Sequence, residues 1–277
     1  MRKGLVLGGG GVFGIGQAHI LSKVDVSKFD FFVGTSIGSV ICSTLASDLK
    51  FDSIEFFHKD MPKIFVANPF SKLNIFKPKY PDKELNRALK SIFGENRKLM
   101  DVKKPLFITA ANLPETKLKV FTSEDLMDSN MLMWEVARSA VAAETYFKPW
   151  NGYADGGVFA NNPSMVAVAS ACMVLNYDIR DIQLCFIGTG SGTNSERFPS
   201  KNYSLFTWGK WILSALMRGA SNSMHDYFVR SLPVNKYVSI EFKRQAGWKM
   251  DSPKDMLLAE KAWDLDIKKG IQLVNEF

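Results

Sequence analysis

The amino-acid sequence predicts a three-layer α/β/α fold, in which a mostly parallel central sheet is covered by helices on both faces. Short apolar segments alternate along the chain with longer segments of helical periodicity, which is the pattern of repeated βαβ units. Two of the apolar segments run into glycine-containing turns that are followed at once by a helix pattern. Hydrophobic residues make up 46% of the 277 residues, enough for a large core.

The predicted elements alternate in chain order. Strands are predicted near residues 4–8, 30–34, 105–112, 117–122, 182–188 and 235–242. Helices are predicted near residues 12–23, 37–48, 51–59, 82–93, 131–141, 162–176, 204–230 and 254–275. We expect a single domain over residues 1–277, with a motif-bearing core at about 4–190 that residues 191–277 complete.

The first strand leads into four consecutive glycines, Gly8 to Gly11, and then into a helix pattern. Consecutive glycines let backbone N–H groups converge on one point, as an oxyanion or phosphate site requires. Gly9 to Gly14 also spells G-x-G-x-x-G, which in a dinucleotide site is followed by an acidic residue at the end of the next strand. Here the next strand ends in Gly34-Thr35-Ser36, with Asp30 at its start, so the oxyanion interpretation is favoured.

The second strand leads into Gly34-Thr35-Ser36-Ile37-Gly38 and then into a small, apolar helix pattern. A G-x-S-x-G motif between a strand and a helix holds its serine on a sharp turn, with the hydroxyl exposed. The N-terminus of the following helix offers free N–H groups and the positive end of a dipole. Ser36 is therefore the candidate nucleophile, and the alternative is an ordinary polar turn.

The third motif is Asp155-Gly156-Gly157, which precedes the helix start Asn162-Pro163. Asp-Gly pairs are common in ordinary turns, so the motif has a purely structural alternative. We expect Asp155 on a loop between a strand and a helix, where catalytic groups are often displayed. The carboxyl ends of neighbouring parallel strands would bring Gly9, Ser36 and Asp155 to one edge of the sheet.

The three motifs, in this order, resemble those of the patatin-like phospholipases. The resemblance covers about residues 4–190 and implies a patatin-like fold with a serine–aspartate dyad, Ser36 and Asp155. It implies an oxyanion hole built from the backbone of Gly9, Gly10, Gly11 and Ile37. The remaining motif glycines are Gly14, Gly34, Gly38, Gly156 and Gly157.

The resemblance implies hydrolysis of a phospholipid or another acyl-ester lipid, with no metal and no cofactor. The family usually carries Arg or Lys just before the last glycine of the first motif, whereas this chain has Phe13. Many members have an aspartate where this chain has Gly8. Both changes spare the backbone donors, so we expect Phe13→Arg to leave an active enzyme.

Alternatives to the dyad hydrolase remain open. The chain has three histidines, His19, His58 and His225, and only His225 falls late enough for a Ser-His-Asp triad. A solvated helical position is the other interpretation of His225. An acyltransferase would use the same acyl-enzyme, and a lipid-binding or signalling protein could carry a silent dyad.

The net charge of +7 fits nucleic acid or an anionic membrane, but the basic residues are dispersed and no nucleic-acid motif occurs. Lys63–Tyr80 and Phe206–Leu213 combine aromatic residues with lysines, which predicts either peripheral contact with an anionic membrane or core packing. Three cysteines in apolar segments, and no leader before the first strand, predict a cytoplasmic protein. The sequence does not indicate an oligomeric state.

Overall fold

The computed structural model describes residues 1–67, 77–192 and 221–277, together with residues 204, 208 and 212. The strands are β1 (Arg2–Leu7), β2 (Phe31–Thr35), β3 (Leu106–Asn112), β4 (Lys117–Thr122), β5 (Tyr153–Asp155), β6 (Ile182–Ile187), β7 (Ser191–Gly192), β8 (Lys236–Ile240) and β9 (Lys243–Arg244). The helices are α1 (Ile15–Leu21), α2 (Ile37–Ala46), α3 (Ser53–Lys59), α4 (Met61–Ile64), α5 (Asp82–Phe93), α6 (Leu126–Ser129), α7 (Met133–Ala140), α8 (Gly157–Ala160), α9 (Ser164–Met173), α10 (Ser221–Ser231), α11 (Pro253–Ala262) and α12 (Asp264–Asn275). Short 3-10 helices cover Gly11–Gly14, Leu99–Asp101 and Ile179–Asp181.

Within the described part of the chain, the main sheet has seven strands. Six of them follow the order β4-β3-β2-β1-β6-β8, and β5 pairs with β3. The pairs β1–β2, β2–β3, β1–β6 and β6–β8 are parallel, whereas β3 pairs antiparallel with β4 and with β5. The predicted α/β fold with a mostly parallel sheet is confirmed.

Side chains of the central strands alternate between two buried clusters, as a sheet covered on both faces requires. Leu5 and Leu7 belong to one cluster, together with residues of α1, α2, α5, α7, α11 and α12. Val6 belongs to the other cluster, together with residues of α8, α9 and α10. The sheet therefore lies between two helical layers.

Several element boundaries differ from the sequence prediction. Strand β5 was not predicted, because its three residues lie between turn residues at Asn151–Gly152 and Gly156. The predicted helix 254–275 is two helices that meet at Trp263, whose ring packs 4.5 Å from that of Phe242. Of the predicted helix 204–230, residues from Ser221 onward are helical, and most of the remainder lies outside the described residues.

The two aromatic and basic segments are described only in part. Residues 68–76 lie outside the described residues, as does Phe206–Leu213 apart from Trp208 and Ile212. None of the described helices has the length and apolar character needed to cross a membrane.

Candidate active site

Strand β3 pairs with β2 and β5, the two strands at whose ends the predicted dyad residues lie. Thr35, the last residue of β2, pairs with Thr109, and the two hydroxyls lie 2.7 Å apart. Asp155, the last residue of β5, pairs with the next residue of β3, Ala110. Because β2 is parallel and β5 antiparallel to β3, both strands end at the same point. Ser36, which directly follows Thr35, is thereby brought to Asp155.

Ser36 lies on a strained turn at the N-terminus of α2. Its φ of 53° and ψ of −127° are rarely adopted by residues other than glycine, and such strain is concentrated at functional sites. Its carbonyl oxygen accepts hydrogen bonds from the Ser39 N–H at 2.9 Å and the Ser39 hydroxyl at 2.6 Å. A β-carbon at Gly38 would lie 2.4 Å from the Leu7 carbonyl oxygen, so this motif glycine is required for close packing on β1.

Asp155 is 1% exposed, and its carboxylate accepts a hydrogen bond from the Gly157 N–H at 2.8 Å. Its own N–H donates to the Ala142 carbonyl oxygen at 3.1 Å. Burial raises the pKa of Asp155 to about 6, although the neighbouring Ser36 hydroxyl and the Gly157 N–H act in the opposite direction. The carboxylate is therefore ionised at pH 7, yet it is a stronger base than an exposed aspartate.

The glycine loop offers fewer free donors than expected. The N–H of Gly9 donates to the Asn161 carbonyl oxygen at 3.1 Å, so the expectation that Gly9 contributes to an oxyanion hole is revised. The N–H groups of Gly10, Gly11 and Ile37 have no hydrogen-bond partner among the described residues, and all three residues line the same cavity as Ser36. Gly9 keeps a packing role, since a β-carbon there would lie 3.0 Å from that of Ser36.

A basic side chain does lie beside the glycine loop, but it comes from β9. The guanidinium of Arg244 lies 4.3 Å from the centre of the Phe13 ring. Its Nε and Nη2 atoms donate to the carbonyl and the hydroxyl oxygen of Thr189, at 3.0 and 2.8 Å. The Thr189 hydroxyl in turn donates to the Gly9 carbonyl oxygen at 2.5 Å. Sequence reasoning did not identify Arg244, because no spacing connects it to the loop.

Phe13 itself is part of the core. It is fully buried, and its ring packs 6.1 Å from that of Trp248 and 5.8 Å from that of Trp263. An arginine at this position would place a second cation against Arg244 in an apolar cluster. The expectation that Phe13→Arg leaves an active enzyme is therefore revised, and the substitution is expected to destabilise the fold.

The histidines provide no triad in the described structure. His225 is absent from the cavity lining, and its ring instead lies against the backbone of Phe159 and Asn162, where burial lowers its pKa. It is part-buried, not the solvated residue that the sequence suggested. The Nε2 atoms of His19 and His58 both contact the same oxygen of Glu260, at 2.6 and 3.1 Å.

Ser36 and Asp155 open into a cavity of about 520 Å³. Its apolar wall comes from α2 to α5 and from the residues near them, namely Val40, Phe56, Met61, Ile64, Phe65, Leu85 and Leu89. Its polar lining includes Asn161, Asn222, Glu144, Arg244 and Lys249. The sequence did not predict this lining, which comes from segments far apart in the chain. A hydroxyl paired with a buried carboxylate, beside free N–H groups, has the chemistry for acyl transfer.

The fold is of the predicted α/β class, and Ser36, Asp155 and the glycine loop line one cavity in it. A family model for "Patatin-like phospholipase" matches residues 5–168, and the chain belongs to that family. Among solved structures, VipD from Legionella pneumophila is similar over 99% of this chain and 67% of its own, with a TM-score of 0.53 at 14% identity. That likeness supports the fold.

Curated relatives have modest identity. A calcium-independent phospholipase A2 of Rattus norvegicus is 28% identical over 195 residues, 59% of this chain and 23% of its own length. The chain thus spans about a quarter of that relative. A cGAMP-activated phospholipase of Vibrio cholerae is 26% identical over 80% of this chain and 74% of its own length, and patatin group A-2 of Solanum tuberosum is 25% identical over 82% and 71%.

Proposed function

We propose that this protein is a lipid acyl hydrolase that cleaves carboxylic esters through Ser36 and Asp155. The observation that carries the proposal is the Ser36 hydroxyl beside the buried carboxylate of Asp155, both of which line an apolar-walled cavity. Membership of the patatin-like phospholipase family supports a lipid substrate.

The chemistry has two stages. The Ser36 oxygen attacks the ester carbonyl while Asp155 takes its proton, and the backbone N–H groups of Gly10, Gly11 and Ile37 stabilise the tetrahedral oxyanion. Asp155 then gives the proton to the leaving alcohol. Water attacks the acyl-enzyme with Asp155 as general base, and proton return to Ser36 releases the fatty acid.

The division of the cavity lining suggests how a lipid is bound. The apolar side chains of α2 to α5 suit an acyl chain, because burial of each methylene contributes about 0.8 kcal/mol. Arg244 and Lys249 carry positive charge elsewhere in the lining, which suits a phosphate headgroup. This distribution favours a phospholipid over a neutral acylglycerol as substrate.

An acyltransferase is the second candidate, because the same acyl-enzyme can pass its acyl group to an alcohol other than water. Product analysis of a phospholipid mixture in the presence of glycerol or a lysophospholipid separates the two activities. Free fatty acid as the main product supports the hydrolase. A catalytically silent protein would give neither product and would not be labelled by a fluorophosphonate.

The test of the proposed function is Ser36→Ala, with Ser47→Ala as its matched control. Ser47 is a buried serine whose hydroxyl has no hydrogen-bond partner among the described residues, so its loss is expected to be nearly neutral. We expect Ser36→Ala to lower ester hydrolysis by at least ~10³-fold and to abolish fluorophosphonate labelling, with an unchanged circular dichroism spectrum. Retained turnover in the folded variant would overturn the proposal.

A further inference from the structure

A second acidic residue, Glu144, lines the cavity with Ser36 and Asp155. Glu144 lies on the segment after α7, four residues beyond the end of that helix. This segment is attached to β5 because the Asp155 N–H donates to the Ala142 carbonyl oxygen. Glu144 is therefore a neighbour of the dyad in space, although eleven positions separate it from Asp155 in the chain.

The backbone around Glu144 is fixed on its other side as well. The carbonyl oxygens of Thr145 and Tyr146 accept hydrogen bonds from the N–H groups of Lys79 and Tyr80, at 3.0 and 2.9 Å. Thr145 has a φ of 69°, which is unfavourable for a β-branched residue. Such strain persists only where the surrounding structure holds it, and it is concentrated at functional sites.

The carboxyl group of Glu144 is unpaired in the part of the chain that the structure describes. Both of its oxygens are buried there and have no hydrogen-bond partner. An unpartnered polar group in an apolar environment costs about 1–3 kcal/mol, so it calls for a ligand that would pair with it. Because Glu144 lines the cavity, a rotation of its side chain towards a bound substrate would provide the missing partner.

The protonation state of Glu144 follows from its surroundings. Burial, followed by the negative charge of Asp155, raises the pKa of Glu144 to about 8. The other ionisable side chains of the described lining are Tyr146, on the same segment, Arg244 on β9 and Lys249 before α11. Asp155 loses its proton at lower pH, so at pH 7 the site holds an ionised Asp155 and a neutral Glu144.

We propose that protonated Glu144 donates a hydrogen bond to an oxygen of the bound acyl ester, and that this contact makes it a substrate-binding residue of the site. This inference rests on the proposed function. Ionisation of Glu144 would remove the donor and place a second negative charge beside Asp155 and the developing oxyanion. Activity is therefore expected to fall on the alkaline side as well as on the acid side.

The test is the pH dependence of kcat/KM between pH 5 and 10, measured with p-nitrophenyl butyrate. Four proteins are compared, namely the unmodified protein, Glu144→Gln, Glu144→Leu and the exposed control Glu115→Gln. We expect a bell-shaped profile for the unmodified protein and the control. Glu144→Gln retains a donor that does not ionise, so it is expected to keep activity within a few-fold at pH 7 and to lose the alkaline fall. Glu144→Leu is expected to lose about tenfold at pH 7.

The outcomes separate this inference from the proposed function. An alkaline fall that persists in Glu144→Gln, or full activity of Glu144→Leu, would overturn the role of Glu144 while leaving the Ser36 test intact. Full turnover in Ser36→Ala would instead overturn the proposed function. If Glu144→Leu does not fold, the Glu144→Gln profile alone decides, with circular dichroism at each pH excluding alkaline unfolding.

Discussion

An aspartate can serve as a general base without a histidine only where its environment strengthens it. An exposed aspartate has a pKa near 4, which leaves it a weak base at neutral pH. At Asp155 burial raises the pKa to about 6, and the Ser36 hydroxyl lies beside the carboxylate. The proposed dyad would thus depend on a buried charge, which carries a cost in stability.

We predict that Asp155→Asn lowers kcat by about 10²–10⁴-fold, the range of a positioned general base. The amide keeps the shape of the side chain but cannot accept the serine proton. The measurement is single-turnover hydrolysis of p-nitrophenyl butyrate, with His225→Ala as comparison. A severe loss in His225→Ala alongside a mild one in Asp155→Asn would indicate a triad instead.

The same variant is predicted to be more stable at alkaline pH. The pKa of Asp155 is raised in the folded state, so its stabilising contribution is complete below about pH 4 and is lost as the pH rises through about 6. Asp155→Asn removes that loss, so its free energy of unfolding is expected to exceed that of the unmodified protein by at most about 3 kcal/mol at pH 8 and by nothing near pH 3.5. Urea unfolding at both pH values measures this difference, with exposed Asp266→Asn as control. Equal stabilities of Asp155→Asn and the unmodified protein at pH 8 would contradict the prediction.

At the residue scale, the sequence was informative where one motif contains the candidate residue. Ser36 and Asp155, which line one cavity, could be proposed because their neighbouring glycines and flanking elements are local in sequence. The role of Gly9 was revised because its donor is taken by Asn161, a residue some 150 positions away. Glu144 and Arg244 were missed because tertiary contacts alone bring them to the cavity.

At the scale of elements, the glycine loop is fixed by hydrogen bonds from residues distant in sequence. Arg244 of β9 donates to Thr189, and Thr189 donates to the Gly9 carbonyl oxygen, so the loop has a fixed position relative to β6 and β9. The short strand β5 is fixed in a similar way, by pairing with β3 and by the bond from Asp155 to Ala142. Neither set of contacts can be predicted from local sequence patterns, because β5 has three residues and β9 has two, too few to show a periodicity.

We predict that Gly10→Ala lowers kcat by on the order of 10²–10³-fold, comparable to the loss of one oxyanion donor. A β-carbon at Gly10 would lie 2.1 Å from the Thr189 hydroxyl oxygen and 2.6 Å from Arg244 Nη2, so the loop or its support must move. The comparison is Gly94→Ala, where φ is 75° and nothing lies within 4 Å of the added β-carbon. The opposite outcome is that the unmodified protein binds NAD saturably, and that Gly10→Ala abolishes this binding but keeps ester hydrolysis. That result would indicate that the loop binds a dinucleotide.

At the scale of the whole molecule, the predicted fold class was confirmed because the central strands are short, continuous apolar runs between segments of helical periodicity. Such runs are typical of parallel strands buried on both faces, and here their side chains enter two separate cores. The cavity was not predictable, since its lining comes from many segments far apart in the chain, whose relative positions depend on packing.

The exposed face of α10 provides the last prediction. Asn222 lines the cavity, and on the same helix Met224, Tyr227 and Phe228 are 52%, 69% and 46% exposed. Apolar side chains next to a cavity mouth, on a chain of net charge +7, suit an anionic lipid surface. We predict that a Tyr227→Ser, Phe228→Ser double variant binds vesicles of phosphatidylglycerol and phosphatidylcholine at least about tenfold more weakly, because each ring buried contributes about 1.5–3 kcal/mol.

Hydrolysis of dissolved p-nitrophenyl butyrate should be unchanged in that variant, since the substitutions leave the dyad untouched. The matched control is Leu126→Ser with Met127→Ser on α6, where both side chains are 82% exposed and neither lines the cavity. Vesicle sedimentation gives the affinities. Equal weakening in both double variants would show that exposed apolar area alone drives binding, and an unchanged affinity in the α10 variant would remove this face from the membrane contact. Weakening confined to the α10 variant would orient the cavity mouth towards the lipid, so that an acyl chain could enter it directly from the bilayer.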